Sequence, residues 1–200
     1  MLDQSVSLPY GVEYAFNDEL SISLYEAGHI LGAASVRFTV NHNGEKTVIG
    51  FTGDLGNANS KLVPDPKPMT GLNYLVSEST YGGRNHLTDS QRAEDAMLAE
   101  IIETCVERGG KLVIPAFSVG RTQAIIFTIH QLYRAGRLPE IPIFTDSPLA
   151  IRSTKVYQHN IDFLNEEAKE FQQQHGSLFD FPLLQIIEDE KESEMLSVMN

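Results

Sequence analysis

The residues best suited to chemistry lie between Ser21 and Gly56. His29 sits in the run Ala27-Gly28-His29-Ile30-Leu31-Gly32-Ala33, and Asp54 in Phe51-Thr52-Gly53-Asp54-Leu55-Gly56. Each ends an apolar stretch and stands beside glycines. Glycine tolerates positive φ and lets the backbone approach a bound group closely. An imidazole and a carboxylate held at strand ends are donor types of a hydrolytic metal site. Taken alone, His29 reads more simply as a structural histidine and Asp54 as a turn carboxylate. Two donors do not close a metal centre, so the surrounding residues decide.

Glu78 follows the apolar run Leu72–Val76 and opens Glu78-Ser79-Thr80-Tyr81-Gly82-Gly83. It suits an orienting carboxylate, with a cap or an ion pair as the simpler alternative. Ser118-Val119-Gly120-Arg121-Thr122-Gln123 lies where a helix pattern begins. Such a turn can aim backbone N–H groups and a guanidinium at one place, an arrangement that binds phosphate oxygens. An N-cap serine with a surface arginine is the plainer alternative. Arg84 and His86 follow the Tyr-Gly-Gly turn and are taken as the rim of the site. His42 in a hairpin turn, and His130, His159 and His175 in helical contexts, read as non-functional. Asp65 lies between prolines and reads as loop.

These residues need elements to position them. Val12 to Phe16 suits a short strand. Ile22, Leu24 and Glu26 alternate with Ser21, Ser23 and Tyr25, and Val36, Phe38 and Val40 alternate again, as strands do. Asn41-His42-Asn43-Gly44 is a hairpin signal, with Thr47 to Phe51 as the returning strand. Pro64, Pro66 and Pro68 make a stiff connector that cannot be helical. After the strand at 72–76 the period changes. Thr88-Asp89-Ser90-Gln91 is a capping box, and Met97, Leu98, Ile101, Ile102 and Cys105 form a helical face closed by Gly109-Gly110. A strand at Lys111–Ile114, a helix from Ser118 with Ile125, Ile126, Ile129, Leu132 and Tyr133 inward, and a strand at Ile141–Thr145 follow. Strand–helix–strand–helix–strand with short links predicts a parallel α/β layer from about residue 72 onward. Residues 148–175 read as helical, a strand falls within 179–187, and an acidic helix spans 188–199.

The 200 residues and a hydrophobic fraction of 42% suffice for a packed core. The single Cys105 excludes an intramolecular disulfide and suits a reducing, cytoplasmic compartment. There is no apolar run long enough to span a membrane, and no basic-then-apolar signal sequence at Met1. Net charge is −12, and residues 161–200 carry ten acidic and two basic side chains, which is most of it. An acidic total disfavours non-specific nucleic-acid binding while leaving room for a local basic patch.

Five segments together resemble one family. Ala27–Ala33 resembles the third metal motif of metallo-β-lactamase-fold hydrolases, and Phe51–Gly56 the fourth. Glu78–Gly82 resembles the first motif of the β-CASP branch. Pro115–Gln123 and Asp146-Ser147-Pro148-Leu149 resemble segments of the inserted β-CASP domain. The branch holds the cleavage and polyadenylation nuclease and its bacterial and archaeal relatives. The resemblance implies that His29 binds a zinc, that Asp54 bridges two Zn2+ ions, and that Glu78 orients a histidine from elsewhere. It further implies that Ser118 and Arg121 contact RNA phosphate, with Arg84 and His86 nearby. The implied protein is a ribonuclease, endo- or 5′-exo-acting; a homodimer is one assembly the resemblance allows. A non-catalytic β-CASP-like RNA-binding or scaffold subunit is the alternative. Another metallo-β-lactamase-fold hydrolase acting on a thioester or lactone is disfavoured by the β-CASP-like segments.

The family's upstream His-x-His-x-Asp-His cluster is absent from this sequence, and so are its two late histidines. The expectation is therefore the middle portion of a longer protein, inactive alone. Its fold class is α/β with an α+β start: residues 1–83 end a metallo-β-lactamase-fold half built of antiparallel strands. Residues 84–200 form a parallel-sheet, β-CASP-like domain that is C-terminally incomplete.

Overall fold

The computed structural model describes residues 5–83 and 91–198. The chain divides into two compact units, Met1–Asn85 and His86–Asn200. The capping box at Thr88–Gln91 falls largely outside the described residues.

The first unit is a five-stranded sheet in sequence order: β1 (Glu13–Ala15), β2 (Leu20–Glu26), β3 (Ala34–His42), β4 (Glu45–Phe51) and β5 (Tyr74–Val76). The first four strands form an antiparallel meander, as their alternation predicts. The β3–β4 turn is tight because Asn43 and Gly44 both take positive φ, 51° and 82°. β5 joins this same sheet, parallel to β4. That corrects the expectation that residue 72 opens the second layer. The pairing is fixed by Asn73, whose N–H donates to Val48 O at 2.8 Å while Val48 N–H donates to Asn73 Oδ1 at 2.8 Å.

The better buried face of this sheet is its small, polar one. Ser21, Ser23, Ser35, Thr39 and Val48 are buried, while Ile22, Leu24, Val36, Phe38 and Ile49 on the other face are only half-buried. Small side chains let the proline-rich connector lie close: a Cβ on Gly50 would come within 2.8 Å of Leu72 Cδ1 and 3.1 Å of Met69 Cε. Leu62 and Val63 are buried with it.

The second unit carries α1 (Gln91–Glu107), α2 (Arg121–Arg134), β6 (Ile143–Thr145), α3 (Pro148–His159), α4 (Glu166–His175), β7 (Leu184–Ile186) and α5 (Glu190–Val198). β6 and β7 pair in parallel, as a two-stranded sheet. The parallel layer is thus smaller than expected. Residues 111–114 form no strand; Val113 is 80% exposed, so the apolar run has the composition of a strand without a ladder to join. The helical reading of 148–175 breaks at Asn160–Asn165, because Asn165 caps α4 by accepting from Ala168 N–H.

The core of this unit gathers around α2. Phe127, Tyr157, Leu164, Leu178 and His130 are all essentially inaccessible to solvent. His130 packs flat on Phe181 with centroids 4.5 Å apart, and edge-on to Phe171 at 4.9 Å. α1 buries Ala99 and Ile102, whereas Met97 and Ile101 stay exposed. The expected apolar face of α1 is therefore wider than the stripe it buries. Among the described residues no helix is long and apolar enough to cross a membrane.

Candidate functional site

Strand direction decides where the candidate residues lie. β2 and β4 both run antiparallel to β3, so they point the same way, and β5 runs parallel to β4. The C-terminal ends of β2, β4 and β5 therefore share one edge of the sheet. His29 lies just past the end of β2, Asp54 just past β4, and Glu78 just past β5.

The three loops are tied to one another by backbone. Gly56 N–H donates to Ala27 O at 2.9 Å. The contact is so close that a Cβ on Gly56 would sit 1.7 Å from Gly28 O and 2.7 Å from His29 N. Only glycine fits there. Ser35 Oγ donates to Thr52 O at 2.7 Å, fixing where the Asp54 loop leaves the sheet. Thr52 N–H donates to Val76 O at 3.0 Å, and Glu78 N–H to Thr52 Oγ1 at 3.1 Å, joining the Asp54 and Glu78 loops.

Glu78 spends a carboxylate oxygen on this frame: Oε1 accepts Leu55 N–H at 2.7 Å. Its carboxyl is held below the usual range, first by the Thr80 hydroxyl, then by Leu55 N–H, with a smaller pull from the His29 imidazole. The side chains of His29 and Asp54 belong to exposed residues, and that of Glu78 to a partly exposed one.

One residue that sequence reasoning took only as part of a strand carries weight here. Glu26 is 6% exposed, and its Oε1 accepts Gly28 N–H at 3.0 Å, so it fixes the turn (φ +68° at Gly28) that presents His29. Burial pushes its carboxyl up, partly offset by Gly28 N–H and by Lys67. A carboxylate closing a strand one residue before Ala-Gly-His is the signal that could have found it.

As a metal centre the set is incomplete. An exposed imidazole and an exposed carboxylate on neighbouring loops are the right chemistry. Among the described residues, however, no group of three or more His, Cys, Asp or Glu side chains could hold a metal ion. The residues present do not by themselves fit a two-metal site.

Arg84 and His86 lie outside the described residues. Ser118 and Arg121 belong to the second unit. There the turn before α2 has Gly120 at φ +80°. The expected free N–H groups are not free: Gly120 N–H donates to Gln123 Oε1 at 2.7 Å, Arg121 N–H to Val119 O at 3.1 Å, and Thr122 N–H to Phe117 O at 3.3 Å. What the turn offers is the exposed Arg121 side chain and the Ser118 hydroxyl, which lies 3.2 Å from Ser147 Oγ.

The family described as Beta-Casp domain matches residues 122–200. Similar proteins include an RNase J-like protein of Methanocaldococcus jannaschii, 36% identical over 163 residues, covering 81% of this chain and 38% of the relative. Ribonuclease TTHA0252 of Thermus thermophilus is 33% identical over 191 residues, 95% of this chain and 42% of the relative. The transcription termination factor FttA of Pyrococcus horikoshii is 31% identical over 174 residues, 85% of this chain and 26% of the relative. The chain spans about two fifths of the length of the first two.

Proposed function

Because the chain belongs to the β-CASP branch of the metallo-β-lactamase-fold nucleases, we propose that the whole protein is a zinc-dependent ribonuclease acting in the cytoplasm. In this reading residues 1–83 supply part of a two-zinc centre and residues 84–200 form a β-CASP-like domain that contacts RNA. The observation that carries it is the common sheet edge at which β2, β4 and β5 deliver His29, Asp54 and Glu78.

His29 and Asp54 are the two ligands this chain contributes; the remaining ligands come from residues outside this set. Metal ions held there with ligands from elsewhere would supply Lewis-acid chemistry at a phosphodiester. Glu78 positions the Asp54 loop through Leu55 N–H. Arg121 supplies a charge-assisted contact to phosphate, and the Ser118 hydroxyl a neutral one. Arg84 and His86 are kept as rim residues on the resemblance alone.

Two variants of the full-length protein separate these roles. Arg121→Ala removes a contact worth about 1.5–3 kcal/mol, so RNA affinity or turnover falls roughly ten- to a hundred-fold. Its zinc content stays at the wild-type level. His29→Ala does the reverse, losing zinc and turnover while keeping RNA affinity. Unimpaired zinc binding and turnover in His29→Ala would refute the ligand assignment. A full-length protein that binds RNA, carries no zinc and cleaves nothing would instead be the non-catalytic scaffold.

A further inference from the structure

Gln123, in the second unit, is a buried polar side chain bonded through both ends of its amide. It is 0% exposed. Its Oε1 accepts Gly120 N–H at 2.7 Å. Its Nε2 lies 2.9 Å from Thr154 Oγ1, 3.1 Å from Ser118 O and 3.3 Å from Ala150 O. One amide therefore reaches both sides of the Ser118–Gly120 turn and the first turns of α3. Thr154 Oγ1 in turn donates to Ala150 O at 2.8 Å. The Ser118 and Ser147 hydroxyls, 3.2 Å apart, join the same two turns at the surface, and Ser147 Oγ also caps α3 by accepting from Ala150 N–H.

We propose that Gln123 is a positioning residue: it locks the turn carrying Ser118 and Arg121 to the N-terminal turn of α3, so that the two form one rigid lip from which Arg121 meets RNA phosphate. The proposal rests on the phosphate-contact reading of Arg121 and adds what holds that contact in place. Gly120 sits at positive φ, and residues 117–120 are in no regular element, so no ladder fixes them. A turn of this kind keeps its conformation only through specific bonds. A fully buried amide satisfied at both ends is a strong one, since its loss removes the Gly120 N–H acceptor and the link to α3 together. Preorganisation then lowers the ordering cost of binding.

The test uses the full-length protein with three substitutions. Gln123→Met keeps length and volume but makes none of these bonds, and Thr154→Val is a milder change that removes one partner. Leu132→Ala, in the core on the same helix and away from the turn, matches the loss of stability without touching the lip. Amide hydrogen exchange reads the coupling directly. In Gln123→Met, and less so in Thr154→Val, the segments 117–123 and 147–154 accelerate together; in Leu132→Ala they do not accelerate selectively. Affinity for a single-stranded RNA, measured at fixed salt, falls roughly ten-fold in Gln123→Met. In an Arg121→Ala background the same substitution costs less than about two-fold, because the contact it positions is gone.

Acceleration confined to 117–123, or RNA affinity that falls equally in Leu132→Ala at matched stability, overturns the proposal. If Arg121→Ala alone binds RNA like wild type, the phosphate-contact reading fails, and with it the lip's role toward RNA. The exchange data then still decide whether Gln123 couples the two turns. If Gln123→Met does not fold, Thr154→Val carries both readouts.

Discussion

Gly56→Ala is the sharpest test of how the His29 and Asp54 loops are held. The added methyl would lie 1.7 Å from Gly28 O, 2.1 Å from Gly28 C and 2.7 Å from His29 N. All three are backbone atoms, so no side-chain rotation relieves the clash. Real Cβ contacts stop near 3.0 Å, so the loops must part by more than an ångström at this point. That movement breaks the 2.9 Å bond from Gly56 N–H to Ala27 O. Overpacking costs about 1–3 kcal/mol, and the lost bond about 0.5–1.5 kcal/mol. The total is about 1.5–4.5 kcal/mol of unit stability, a roughly 10- to 2,000-fold acceleration of the slowest amides of β2–β4. Gly83→Ala is the matched control: among the described residues nothing lies within 4 Å of its added methyl, and its φ is not in the left-handed region, so the change is near neutral. Hydrogen exchange on the full-length protein compares the two, and zinc retention should fall only in Gly56→Ala. Exchange in Gly56→Ala within about three-fold of Gly83→Ala would refute the close-contact argument.

Two further outcomes are expected. Purified residues 1–200 should hydrolyse RNA negligibly, because no three metal-donor side chains cluster among the described residues; robust, chelator-sensitive cleavage by this chain would sink that. Burial holds the His130 imidazole below the usual histidine range; Nε2 accepts from Arg134 Nε–H and Nδ1 donates to Leu178 O, with His175 and Asp180 as the other charged neighbours. The folded state thus prefers the neutral ring. Stability present above pH about 6.5 is lost as pH falls toward the lowered folded value, with a slope of at most about 1.4 kcal/mol per pH unit. Urea midpoints of the second unit between pH 8 and pH 5 should show this slope in the wild type and lose it in His130→Gln; equal slopes would refute it.

The antiparallel meander was legible in the sequence because its determinants are local. The alternation in β2 and β3 and the Asn43-Gly44 turn set neighbour and register together. β5 was not, because a three-residue strand after a proline connector can join either layer. Its partner is chosen by Asn73 pairing with Val48, a contact across 25 residues. The segment 111–114 shows the converse: composition favours a strand, but a strand exists only where a neighbour accepts its N–H groups. In α1 the apolar residues outnumber the positions that are buried, Ala99 and Ile102 among them, so Met97 and Ile101, expected inward, lie outward.

The candidate site divides along the same line. His29, Asp54, Arg121 and Ser118 were visible because their types announce chemistry. Of the residues that hold their loops, only Glu78 was singled out, and for a different partner, a histidine from elsewhere. Glu26 accepts Gly28 N–H, Glu78 accepts Leu55 N–H, and Gln123 accepts Gly120 N–H. In each case a side-chain acceptor replaces the ladder bond that a loop beside glycine lacks. Such a bond leaves no periodic trace in sequence, since it depends on which N–H the fold brings within 3 Å of the acceptor. It also changes what the neighbouring group can do. At Gly120 the N–H that sequence reasoning offered to a phosphate is already bonded to Gln123, and those of Arg121 and Thr122 to Val119 O and Phe117 O, so the Arg121 guanidinium carries the phosphate reading. Fixing the loop and donating backbone N–H groups to a ligand are competing uses of the same atoms, and at Gly120 the fold has spent its donor on the first.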